Sequence, residues 1–332
     1  MSDFFSRPAQ ALWTLEAGRI ERRSAHVPPP GPGEVCVRAL ASAVSLGTER
    51  LVFSGKVPES EWARMRAPFQ EGDFPFPVKY GYACVGEIVA GDPDRLGEIV
   101  FTLHPHQSLF TLPAEAACPV PTDVPVRRAV LSANMETALN GLWDANASPG
   151  DHIAVVGGGV VGLLIARLAA RLPATTVTLV DVDPARAEAA AGLGLAFATP
   201  DTAPGEQDIV IHASGHAEGL DTALSLAGME ARVVEMSWYG TAPVTAHFGG
   251  AFHSRRLTLV SSQVGQLPPA RRSRWTYRRR LATALSLLRD PALDALISDP
   301  IPFTEAPDTL PAVFQAPSQG QAPLIVYDAA TD

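Results

Sequence analysis

The chain has 332 residues, 46% of them hydrophobic and 18% charged, with a formal net charge of −9. These values suit a globular protein of about two domains and argue against nucleic acid as a partner, and no apolar run approaches the ~20 residues of a membrane span. Cys36, Cys84 and Cys118 form neither a disulfide framework nor a CxxC zinc knuckle, and no secretion signal opens the chain, so a reducing cytoplasm is expected.

Residues 1–125 are rich in proline and glycine, and turn signals such as "PPPGPGE" and "GDPD" separate short β-like runs: "GEVCVRALASAVSL", "ACVGEIVAG", "GEIVFTL" and "SLFTLPA". This predicts an irregular, mostly β domain. From Val126 the texture changes. "RRAVLSANMETALNGLWDA" has helical spacing. "HIAVVGGG", "TVTLVDVD", "DIVIHASG" and "ARVVEMSWYG" then read as strands alternating with helices such as "VVGLLIARLAARL" and "PARAEAAAGLG". Such alternation predicts a parallel sheet with right-handed crossovers over 126–265. In the remaining segment, 266–332, "RWTYRRRLATALSLLRD" reads as a helix and "PLIVYD" as a last strand that rejoins the first domain.

The clearest motif is "VVGGGVVG". Gly157, Gly159 and Gly162 give G-x-G-x-x-G directly after a strand and at the start of a helix whose first residues are Val160 and Val161. Gly157 permits the turn, Gly159 admits a pyrophosphate, and Gly162 lets helix and strand pack closely. The next strand ends in Asp181, whose carboxylate suits both ribose hydroxyls of NAD and repels a 2′-phosphate. Arg186 stands five residues on and is the one feature favouring NADP. NAD is therefore the expected cofactor. Ser214 and Ser237 follow later strand ends, where ligands bind in such sheets, and Trp238 and Tyr239 either wall the nicotinamide or pack between domains.

These features together resemble the medium-chain dehydrogenase/reductase superfamily, over nearly the whole chain. The resemblance implies an α/β fold: a GroES-like β-rich catalytic domain plus an inserted Rossmann domain with a doubly wound parallel sheet. It also implies dimers or tetramers and a small-molecule substrate. Zinc ligands of that family lie in a C-G-T-D-like segment, a G-H-E segment and a site some two dozen residues before the glycine turn. The corresponding segments here are Leu46-Gly47-Thr48-Glu49, Gly81-Tyr82-Ala83 and the neighbourhood of Ala133, and the cysteine-rich lobe for a structural zinc is absent. No zinc is expected, since hydrocarbon side chains cannot coordinate. An improvised site would have to draw on His104, His106, Glu49, Glu71 or Glu136. Within the family the chain is most similar to a zinc-less branch grouped with bacteriochlorophyllide a dehydrogenase, on the stretch "EWARMRAPFQEGDFPFPVKYGYACVGEIV" and the segment "LHPHQ".

Without a metal, a positioned donor must steady the reacting oxygen. Thr48 occupies the family's hydroxyl-relay position, Tyr82 takes a vacated ligand position, Glu49 orients neighbours, and His104 and His106 are candidate bases. The expected activity is zinc-independent, NAD(H)-linked interconversion of a secondary alcohol and a ketone. A C=C reductase and a catalytically silent NAD-binding sensor remain as alternatives. "RRSRWTYRRR", Arg271–Arg280, has three readings: a solvated helix face, an anion-recognising patch or a partner surface.

Overall fold

The computed structural model describes residues 9–316 and 320–327. The N-terminal part builds two sheets. One has seven strands. Glu34–Ala43 is its hub, paired antiparallel with Cys84–Ala90, Leu109–Pro113 and the C-terminal strand Ala322–Val326, which in turn pairs with Ile297–Pro302. The other has four strands in which Ala9–Glu16 pairs with Arg19–Ala25 and with Val78–Lys79. Val35, Val37, Ile88, Phe110 and Leu112 fill the core between them, none more than 2% exposed. Each fully buried side chain of this kind stabilises by about 1.5–3 kcal/mol.

The run "SAVSL" does not continue the strand Glu34–Ala43. After Val44 the chain turns at Ser45 into the helix Leu46–Phe53. Thr48 therefore sits on the first turn of a helix, not on a strand. Glu49 accepts the backbone N–H of Ser45 at 2.7 Å and so satisfies a group that the helix leaves unpaired.

The second part is a six-stranded parallel sheet from His152–Val156 to Thr258–Ser261. Its order runs from Ala196–Ala198 through Thr176–Val180 and His152–Val156 to Gln207–His212, Ala227–Glu235 and Thr258–Ser261. The chain reverses its direction of growth beside His152–Val156, which creates a crevice at the carboxyl ends of the strands. The α/β class and the doubly wound sheet are as expected.

Of the arginine-rich segment only Arg280 is buried, and Arg272, Arg274, Arg278 and Arg279 are exposed. Arg280 is buried against Glu136 (2.9 Å) and Asn140, and fastens the helix Tyr277–Leu287 to Ser132–Ala145. Arg278 donates to the Glu115 carbonyl, and Arg279 stacks 4.0 Å over Trp275. Among the described residues no helix is long and apolar enough to cross a membrane.

Candidate functional site

The glycine turn has the shape that a dinucleotide needs. Gly157 has φ +114°, and a Cβ there would lie 2.6 Å from the Ser214 backbone nitrogen. A Cβ on Gly162 would lie 1.9 Å from the Gly157 carbonyl oxygen, so helix and turn touch at that point. At Gly159 a Cβ would meet nothing within 4 Å. Gly159 caps the helix Val160–Ala169 without a side-chain hydrogen bond, which leaves the first-turn N–H groups of Val160, Val161 and Gly162 for an anion. These residues fit a pyrophosphate.

Asp181 stands at the end of its strand as expected, with Oδ2 accepting the Gly158 N–H at 2.6 Å. Arg186 lies over the same loop: a Cβ on Gly158 would meet it at 3.1 Å, and its Nε is 3.5 Å from Asp183. Ser237 accepts the Gly215 N–H at 3.1 Å and links two strand ends. Trp238 packs against the apolar cluster of the N-terminal part that Val52, Val57, Phe74, Val78 and Tyr80 form. The packing alternative thus describes that ring.

Two residues here carry more structure than the sequence indicated. His212, 0% exposed, ends its strand with Nδ1 2.8 Å from Glu235 and Nε2 2.6 Å from Ser214 Oγ. Tyr239 donates to the same Glu235 carboxylate at 3.0 Å. A histidine closing an otherwise apolar strand was the available signal.

On the N-terminal side, Glu49 and His106 meet. His106 Nε2 is 3.0 Å from Glu49, and its Nδ1 is 2.8 Å from the Ser42 hydroxyl, which is 3.0 Å from the Tyr327 hydroxyl. All four side chains are buried. Gly81 makes room for this ring, since a Cβ there would lie 2.8 Å from it. A cavity of about 30 Å³, large enough for a water molecule, borders Glu49 and His106 between Thr14, Tyr80 and Phe314. Tyr82 completes the group: burial followed by the Glu49 charge pushes its phenol up to about 12, with Ser45 and Thr48 near enough to pull the other way.

His104 does not join them. Pro105 breaks the strand, and the two histidines take different partners. His104 stacks on Phe110 at 3.7 Å and holds the Pro105 carbonyl with Nδ1 at 2.9 Å. Burial lowers its basicity to about 3, so it stays neutral.

The residues present do not fit a zinc ion. Two of the three aligned positions, Leu46 and Ala133, carry no lone pair. Each carboxylate that might substitute is engaged: Glu49 with His106, Glu71 with Lys79, Glu136 with Arg280. Burial pushes the Cys36 thiol up to about 11 and the Cys84 thiol to about 12, against thiolate formation. Among the described residues no three His, Cys, Asp or Glu side chains gather as a ligand set.

No family model matches the chain. Among curated proteins it is 25% identical over 319 residues to D-guloside 3-dehydrogenase of Escherichia coli K12, covering 86% of this chain and 91% of that one. It is 27% identical over 311 residues to 2-desacetyl-2-hydroxyethyl bacteriochlorophyllide A dehydrogenase of Rhodobacter capsulatus, covering 87% and 88%. Among solved structures, a Sinorhizobium meliloti 1021 protein assigned as a zinc-binding dehydrogenase and bound to NADP superposes with a TM-score of 0.76, at 21% identity and 97% and 100% coverage. The short chain alcohol dehydrogenase RspB of Escherichia coli CFT073, complexed with NADH, gives 0.76 at 17% identity, covering 96% and 100%.

Proposed function

The chain belongs to the medium-chain dehydrogenase/reductase superfamily and is an oxidoreductase, and from that premise we propose that it interconverts a secondary alcohol and a ketone with NAD(H) and without a bound metal. It works in the cytoplasm as a homo-oligomer on a small-molecule substrate. A bound nicotinamide would take up or return the hydride. Gly157, Gly159 and the N–H groups of Val160, Val161 and Gly162 hold the pyrophosphate, Asp181 selects NAD at the ribose, and Ser214 and Ser237 line the nicotinamide end. The 2′-phosphate of NADP would face the Asp181 carboxylate.

Thr48 and Tyr82 donate to the substrate oxygen. In the oxidative direction the hydroxyl proton passes through the Thr48 hydroxyl to Glu49 and His106 while Tyr82 keeps its hydrogen bond to the oxygen, and the carbon-bound hydrogen leaves as hydride. In reduction the same groups return the proton to the forming alkoxide. Tyr82 stays protonated and serves as a donor rather than a base. His104 is a packing residue. The observation that carries this reading is the buried Glu49–His106 pair, 3.0 Å apart, whose Glu49 charge acts on the neighbouring Tyr82 phenol.

A panel of secondary alcohols with NAD tests it, including glycosides and hydroxyethyl-bearing compounds of the kinds that the two curated relatives are named for. NADH formation on at least one class is the expected result. Tight NADH binding with no turnover across the panel would favour a silent sensor, and reduction of enones by NADPH alone would favour a C=C reductase.

A further inference from the structure

We propose that the exposed arginines between Arg271 and Arg279 are a docking surface for an acidic protein segment, a short run of Asp or Glu side chains on a partner. The redox reading above is not needed for this inference. The chain has 35 acidic and 26 basic residues, yet among the described residues none of the guanidiniums of Arg271, Arg272, Arg274, Arg278 and Arg279 forms an ion pair. Buried Arg280 beside them is paired with Glu136, and elsewhere on the surface arginines as exposed as Arg64 and Arg256 find carboxylates. Neutral groups hold the segment instead. Arg272 Nε donates to the Leu267 carbonyl at 2.8 Å, Arg278 Nη1 to the Glu115 carbonyl at 2.5 Å, and Arg279 Nη1 to the Arg274 carbonyl at 2.8 Å. Arg279 lies 4.0 Å over Trp275 and Arg271 5.3 Å over Trp143, with the two indole rings 4.6 Å apart. Such contacts orient a guanidinium without cancelling its charge and leave it further N–H donors. The Arg274 guanidinium makes no hydrogen bond among the described residues.

The first turn of the helix Tyr277–Leu287 adds to this charge rather than offsetting it. It holds no acidic residue and carries Arg278 and Arg279 where the helix dipole favours an anion. A positive surface built against that preference is complementary to carboxylates from outside the chain. Planar guanidinium forks match a carboxylate with two hydrogen bonds at a time. Arg, Trp and Tyr without Lys is the composition of protein–protein hot spots, and side chains already oriented lose little freedom on binding. Tyr277, 51% exposed, offers an aromatic contact beside the charges. A lipid surface fits less well: it takes up several large apolar side chains, and among the described residues Tyr277 is the one exposed large hydrophobic of this segment. Nucleic acid is disfavoured by the net charge of −9.

Fluorescence anisotropy of a labelled peptide of about ten glutamates at about 0.1 M salt tests this, with a glutamine peptide of the same length as the neutral control. Wild type is expected to bind the glutamate peptide at least about tenfold more tightly than the glutamine peptide, and less tightly as salt rises. Arg274→Glu should weaken binding about fivefold or more, and Arg274→Gln about threefold, since neither removes a side-chain hydrogen bond from the fold. Arg64→Glu, an exposed charge reversal outside the segment, should change it less than about twofold. Melting of each variant reports folding, and if Arg274→Glu does not fold, Arg274→Gln decides. Equal affinity for the two peptides, or wild-type affinity in the folded Arg274 variant, would overturn the proposal. So would binding to phosphatidylglycerol vesicles, and not to phosphatidylcholine ones, by protein that ignores the glutamate peptide; that result assigns the patch to a lipid surface.

Discussion

His106 Nε2 stands 3.0 Å from a Glu49 oxygen, and both side chains are buried beside the Tyr82 phenol's hydroxyl neighbours. Among the described residues the pair's other hydrogen-bond partners are the Ser45 N–H on one side and the Ser42 hydroxyl on the other. A buried acid–base pair of this kind is worth about 10²–10⁴ in rate when it moves a proton in the transition state. Glu49→Gln keeps an oxygen for the Ser45 N–H and is expected to lower kcat/KM for an accepted alcohol about 10²-fold or more, with NADH affinity changed less than about twofold. Steady-state kinetics beside NADH titration checks it. Unchanged kcat/KM would assign the pair to packing.

Tyr82 should act only as a donor. Burial, then the Glu49 charge, raise its phenol to about 12 against the pull of the Ser45 and Thr48 hydrogen bonds. Tyr82→Phe is expected to slow ketone reduction about 10²–10³-fold, the cost of one lost donor to a developing oxyanion. The wild-type pH–rate profile should show no phenol ionisation below about pH 11.

Two glycines of the turn should fail in different ways. At Gly159 a methyl group meets no protein atom within 4 Å, so Gly159→Ala should melt like wild type yet weaken NADH binding about tenfold or more. At Gly162 the methyl lands 1.9 Å from the Gly157 carbonyl oxygen. Gly162→Ala should therefore lower the melting temperature itself, by an overpacking cost of about 1–3 kcal/mol. Calorimetry and NADH titration on the two variants separate these effects.

The turn was legible because a backbone wrapped on a pyrophosphate restricts residue types at fixed spacing, and the strands around it were long apolar runs. The helix Leu46–Phe53 was not, since "LGTERLVF" follows a strand without a break in hydrophobicity and its start depends on Ser45 and Glu49 meeting. The two buried histidine pairs were hidden for another reason: their partners lie 57 and 23 residues away, and only tertiary packing brings them together. His104 and His106 parted because Pro105 removes the alternation that would have aligned them.

His104 gives a pH prediction. Its folded-state value of about 3 lies far below the ordinary 6.5. The unfolded chain therefore binds more protons between those values, and stability falls as pH drops through that window. Across that whole window the loss is bounded at about 5 kcal/mol, about 1.4 kcal/mol per pH unit of displacement. Denaturant midpoints from about pH 7 to 4 should show this acid slope in wild type and a shallower one in His104→Phe, which keeps the stack on Phe110.

In the proposed reaction proton donors replace a metal at the substrate oxygen. The direct measurement is substrate-dependent NADH formation by protein dialysed against a strong chelator, with elemental analysis of the same sample. An undiminished rate with far less than one metal ion per chain is the expected result. Loss of activity on dialysis, restored by adding zinc, would contradict it.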